Sequence, residues 1–348
     1  MEQIILFAFL TVFPFGKIVK IGIINPIDII VGLGAIYAVI KQLPQPKVFS
    51  YFKNFLLVAV FSWIVGSLVF ARIEVFYGLL YLARLGAYFY FFIFLRQFNR
   101  KFLLNSLLAV SVAVAIFGWI QYFIYPDVRA LVEYGWDDHL FRMIGTFLDP
   151  AFLGLILVFG LTISLNKKLK LMTLFFLTSL AFTYSRASYL AALIPLIYKK
   201  SWAFLIVFLG IILFLPRTAG EGVKLERTAS VGARFTNYTQ TLDIIKKNAL
   251  LGVGFNNICL AKDADFKSHS CSGADSSILF LLATTGIIGL ISLSHLTSEV
   301  WKVTGPDFKI FGLTVLAHSL FSNSLFYSFI LGFLVILLAV YLQREVKD

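Results

Sequence analysis

What this sequence has least of is charge. Of its 348 residues only 14% are Asp, Glu, Lys or Arg, against roughly a quarter in ordinary soluble domains. There is too little polar surface to cover a water-soluble globule of this size. Histidine occurs four times and cysteine twice. The histidines are dispersed without metal-ligand spacing, and no P-loop, dinucleotide fingerprint or HExxH motif is present. Neither a metal centre nor a cofactor is expected. No Ser/Pro-rich linker, low-complexity tract or internal repeat divides the chain, so it reads as a single membrane domain over residues 1–348.

What fills the sequence instead is apolar. Hydrophobic residues make up 59% and phenylalanine alone occurs 38 times, in runs that approach the length a helix needs to cross about 30 Å of hydrocarbon. The runs are apolar on both phases of a strand, which excludes an outer-membrane β-barrel. Breaking the chain at its polar stretches predicts an all-α, polytopic protein of about twelve transmembrane helices, near 2–15, 23–40, 54–71, 75–95, 102–125, 144–165, 170–184, 187–198, 202–216, 277–296, 309–322 and 326–342. The first run shows no small-residue cleavage site and is read as a retained helix.

The net charge of +12 could suggest nucleic acid, but its placement decides otherwise. Basic residues crowd into alternate connections: Lys41, Lys47 and Lys53; Arg96, Arg100 and Lys101; Lys167, Lys168 and Lys170; Lys199 and Lys200; Lys302; Arg344 and Lys347. The positive-inside rule places these connections and both termini in the cytoplasm. No nucleic-acid partner is implied. Two long connections then lie outside, residues 126–143 and 217–276, where function should concentrate.

The larger one carries Phe235, Tyr238, Leu242 and Ile245 at helical spacing, which predicts a helix whose stripe either packs on the bundle or contacts membrane lipids. Both cysteines, Cys259 and Cys271, fall in it. An extracytoplasmic setting permits a disulfide between them, with two separate thiols as the alternative.

Arginine is costly in or near lipid, so its positions are informative. Arg142 in FRMIGTFLDP, Arg186 in TYSRASY and Arg234 in SVGARF all face outside in this topology. Converging at one level, they would suit a pyrophosphate, whose oxygens match the guanidinium fork. Snorkelling of Arg142 to the interface and a helix-end carbonyl partner for Arg186 are the alternatives. Arg84 in YLARLGAY lies nearer mid-span, where an ion pair, a water-facing position and a binding role all stand open. Gly252 and Gly254 permit a tight turn, and Gly286 and Gly289 close helix packing. His318 and Asn323 in the eleventh span read as interhelical hydrogen-bonding groups, or else as cavity wall.

Taken in order, RMIGTFLDPAFLG, YSRASYLA, VGARFTNYTQTLDIIKKNALLGVGFNN and ADSSILFLLATTGIIGL resemble the O-antigen ligase and polymerase superfamily over roughly residues 140–295. The resemblance implies a GT-C-like helical bundle in the bacterial cytoplasmic membrane. It implies transfer of a glycan from an undecaprenyl pyrophosphate-linked donor to a lipid, glycan or protein acceptor, with Arg142, Arg186 and Arg234 holding the donor pyrophosphate and no metal required. Ligases of this family use a loop histidine on the acceptor hydroxyl. Here Asp275 stands at the matching position and His269 six residues earlier, so either is a candidate for that role, with helix capping the alternative for Asp275. A transporter of lipid-linked glycan, or a non-catalytic scaffold of envelope assembly, would use the same arginines without chemistry.

Overall fold

The computed structural model describes residues 1–19, 25–70, 72–134, 136–217, 220–263 and 273–342, which are helical with no strand among them. In chain order the helices are α1 (Glu2–Val12), α2 (Pro26–Ile40), α3 (Phe49–Phe70), α4 (Val75–Leu95), α5 (Arg100–Ile124), α6 (Pro150–Asn166), α7 (Lys170–Ala181), α8 (Arg186–Tyr198), α9 (Trp202–Leu213), α10 (Ala229–Lys247), α11 (Ile258–Ala261), α12 (Ser277–Val303), α13 (Pro306–Ser319) and α14 (Ser328–Tyr341).

A helix lies at each of the twelve expected positions, but their lengths differ. Among the described residues, only α3, α4, α5 and α12 are long and apolar enough to cross a bilayer by themselves. At 1.5 Å per residue, the 12-residue α7 and α9 rise only about 18 Å. α6 also begins later than expected, at Pro150 rather than near 144, because Asp149 caps it and proline takes the first helical position. Together the apolar helices make this a multi-pass membrane protein.

α6 and α14 are enclosed almost all round, as expected of helices in the middle of a bundle. Phenylalanines fill the space beside them: Phe13 meets Phe147, Phe329 and Phe333 edge-on or tilted at 5.3–6.1 Å, geometries that aromatic quadrupoles favour. The many exposed Leu, Ile and Phe side chains of α1, α3, α4 and α9 are the outward face that lipid covers.

The two glycine motifs act together. α12 is broken at Gly286, where φ is 63° and ψ −163°, and the segment after α10 fills the break. The amides of Val253 and Gly254 donate to the carbonyls of Ala283 and Thr284 at 2.9 and 3.1 Å, while Ile287 and Ile288 donate to the carbonyls of Ala249 and Leu250. Ser62 on α3 adds hydrogen bonds to the carbonyls of Leu251 and Thr284. Backbone groups freed by a broken helix in lipid must be satisfied by protein, and this loop satisfies them. A Cβ on Gly286 would sit 2.2 Å from the Leu250 carbonyl oxygen, and one on Gly252 2.3 Å from the Thr284 backbone. The span expected at 277–296 is thus broken at Gly286, and residues 249–257 of the larger connection pack between α3, α4 and α12.

Candidate functional site

The two long connections meet over one cavity of about 1440 Å³. Its wall is built from the turn between α7 and α8. Tyr184 there has a left-handed backbone, φ 50°, uncommon outside glycine. The Thr183 and Tyr184 carbonyls are turned toward the connection between α5 and α6, where Arg142 donates to both, at 3.1 Å from Nε and 3.3 Å from Nη2. Arg227, from the larger connection, donates to the same Tyr184 carbonyl at 3.1 Å and to the carbonyls of Gly222 and Lys224. Arg186, first residue of α8, donates to the carbonyls of Leu225 and Arg227, each at 3.2 Å. Backbone carbonyls thus anchor three guanidiniums in one wall.

Arg234 completes the set. It lies one turn before Asn237 and Tyr238 on α10, lines the cavity, and is close enough to Arg186 and Asp275 for their charges to interact. α10 itself is present, but its buried face runs through Thr241 and Ile244, while Phe235 and Leu242 of the expected stripe are exposed. Tyr238 holds the helix down through a hydrogen bond from its hydroxyl to the Leu320 carbonyl.

Arg142 is buried, 7% exposed, and among the described residues no carboxylate pairs with it at salt-bridge distance. Burial first, and the Arg227 charge second, push it down to about 9; it remains cationic at neutral pH. Its segment is rigid. Gln121 of α5 accepts from the amides of Ile144 and Gly145, and Thr146 donates to the Pro14 carbonyl. Gly222 packs so closely on Arg142 that a Cβ there would come within 2.7 Å of its Cδ, so the larger connection folds directly over the smaller.

Four aspartates, Asp137, Asp138, Asp149 and Asp275, line the cavity with these cations, and two of them are held at helix starts. Asp275 is held by its backbone, its amide donating to Asn237 Oδ1 at 3.0 Å and its carbonyl accepting from Tyr238. It does not cap α12; Ser276 does. Burial raises its carboxyl, offset by Arg234 and Lys262. Asp149 caps α6 and lines the same cavity; burial raises it too, offset by the Phe152 and Ala151 amides.

Sequence reading brought Arg142, Arg186, Arg234 and Asp275 to this site, and all four line the cavity, as does Cys259. His269 and Cys271 lie outside the described residues. Arg84 lines it as well, with its guanidinium 2.7 Å from Asp28 of α2 and over the Tyr81 ring. His318 and Asn323 divide: His318 bridges Ser188 and Ser324 in the interior, whereas Asn323 is on the cavity wall. Arg227, Asp149, Asp137 and Lys17 belong to the cavity and were not singled out. Arg227 left no signal, since arginine in a polar connection costs nothing. Asp149 did leave one, because Asp-Pro ahead of an apolar run is a helix-start signature.

A family model described as O-antigen ligase matches residues 171–294, a stretch that carries Arg186, Arg227, Arg234 and Asp275 and ends beyond the break in α12. No curated protein matches the chain. Over residues 171–294, about a third of its length, this multi-pass membrane protein is similar to the O-antigen ligase superfamily.

Proposed function

We propose that the protein transfers a glycan from an undecaprenyl pyrophosphate-linked donor to an acceptor hydroxyl, on the outer face of the bacterial cytoplasmic membrane, with both termini in the cytoplasm and all twelve apolar helices set in lipid. The observation that carries this reading is the convergence of Arg142, Arg186, Arg227 and Arg234, from three separate segments, on one cavity. A wall of fixed guanidiniums is complementary to a diphosphate and becomes more so as that group departs with negative charge, which is where electrostatic stabilisation lowers a barrier. In-line attack by the acceptor oxygen on the anomeric carbon then needs a group to take the hydroxyl proton, and Asp275 and Asp149 are two of the carboxylates that line the cavity with the arginines. The pairing of Cys259 with Cys271 would fix the loop that carries His269, the other candidate proposed from the family.

Ligation to a lipid, ligation to a protein and polymerisation onto a second lipid-linked chain are one reaction with different acceptors. A pure transporter has no use for two desolvated carboxylates beside the anion-binding wall, which favours chemistry over transport. The test is purified protein in liposomes with a lipid-linked glycan donor, a panel of acceptors and a chelator. Release of undecaprenyl pyrophosphate together with a new glycosidic product, lost in Arg234→Ala, is the expected result. Donor that binds or crosses the bilayer without ever being cleaved contradicts it.

A further inference from the structure

Resting on that reading, we infer that Asp149 takes the proton from the acceptor hydroxyl, and that Asp275 is a positioning residue that holds Arg234 on the donor side. The two carboxylates differ in how they are held. Both α6 cap bonds, from the amides of Ala151 at 2.6 Å and Phe152 at 3.0 Å, end on Asp149 Oδ1. Oδ2 makes no hydrogen bond among the described residues, and the residue lines the cavity. One oxygen thus fixes the carboxylate while the other is left for substrate. Just before it, Leu148 has a left-handed backbone, φ 58°, a conformation disfavoured for a branched side chain and sustained where surrounding structure over-determines it. That turn delivers the cap, and Gln121 and Thr146 clamp the turn in place. A base must be preoriented to act, and Asp149 is.

Asp275 is bound only through its backbone, and its carboxyl lies in the fields of Arg234 and Lys262, two cations that oppose proton uptake. Arg142 is the one cation among the main influences on Asp149, and Asp137 acts in the opposite sense on both carboxyls. Asp149 lines the cavity together with Arg142, Phe152 and Tyr327. Tyr327 stacks on Phe152 one turn into α6, with ring centres 3.8 Å apart. The base therefore lies at the border between the diphosphate wall and an aromatic flank of the cavity, where an incoming sugar hydroxyl would sit.

The step balances within these groups. The acceptor oxygen bonds to the anomeric carbon and its proton goes to Asp149 Oδ2. The bond from that carbon to the diphosphate oxygen breaks, and the electron pair leaves with undecaprenyl pyrophosphate beside the arginines.

Azide separates a base from a structural residue, because it attacks the anomeric carbon with no proton to lose and gives a glycosyl azide. Asp149→Asn keeps an oxygen for the cap bonds. It should bind donor as the wild type does, lose acceptor transfer about 100-fold or more, and still form glycosyl azide at close to the wild-type rate. Asp275→Asn should instead weaken donor binding and lower both reactions together. Should Asp149→Asn fail to bind donor, Asp149→Ser, which also caps, replaces it. The assignment is overturned if Asp149→Asn transfers to acceptor within about threefold of wild type, if it loses both reactions equally, or if the selective loss belongs to Asp275→Asn. A wild-type protein that cleaves no donor with acceptor or azide overturns the transferase reading itself, and this assignment with it.

Discussion

Two arginines of this protein, Arg84 half-buried and Arg142 buried, solve the same problem in opposite ways. Arg84 has a carboxylate, Asp28, 2.7 Å away on the neighbouring helix. Arg142 has only the carbonyls of Thr183 and Tyr184 and the ring of His139, and a second arginine stands on the same carbonyl. The first site is closed, its charge cancelled within the fold. The second is open, its geometry complete and its charge unspent. Holding a desolvated cation beside another costs stability unless an anion arrives, so the difference separates an arginine that serves the bundle from arginines that serve a ligand.

The comparison predicts different failures. Arg142→Ala should lower glycan transfer by about 1000-fold, the scale lost when a fixed donor to a developing anion is removed, with little change in thermal stability in detergent. Arg84→Met should do the reverse, costing about 3–5 kcal/mol by leaving Asp28 buried and unpaired, and Arg84→Met with Asp28→Leu should recover most of it in the same melting assay. If the double variant stays as unstable as the single, the closed site is not a cancelled pair. Arg142→Lys keeps the charge but loses the fork and should fall between, roughly 10- to 100-fold down in transfer.

Acidity offers a finer test. Arg142 has its affinity for protons lowered to about 9 in the folded protein, below its unfolded value, so the folded state binds fewer protons than the unfolded state above that pH. Between pH 8 and pH 10, stability without ligand should therefore gain a rising contribution as the penalised charge is released. Inorganic pyrophosphate affinity should fall over the same interval, because the charge that binds it is being lost. Opposite trends, both absent in Arg142→Gln, are expected from calorimetry and binding measured in parallel; parallel trends would place the pyrophosphate elsewhere. The smallest effect should come from Phe235 and Leu242 on the exposed face of α10, where a change to Ser should leave transfer within about twofold, since surface changes away from special features cost little.

Much of this was legible from the chain. Apolar length located a helix for each expected span, and the cost of arginine in lipid pointed to Arg142, Arg186 and Arg234, which gather on one cavity. What was missed shares a cause. Arg227 gives no local signal, because its role depends on a carbonyl 43 residues away in sequence. The break in α12 was hidden because Gly252 and Gly286 each have an ordinary local explanation, and only their meeting shows that one completes the other. Phe235 and Leu242 obeyed helical spacing yet face outward, since spacing fixes a face without saying what covers it. Asp149 was not singled out, because its Asp-Pro setting marks only a helix start, and the cap uses only one of its two oxygens.

The most direct test of the account is the location of the diphosphate. Electron cryomicroscopy of the protein in lipid nanodiscs with undecaprenyl pyrophosphate should show paired phosphate density in contact with Arg142 and within reach of Arg186, Arg227 and Arg234, with Asp149 and Asp275 on its open side. Density bound at another surface while these four arginines keep only their protein partners would contradict it.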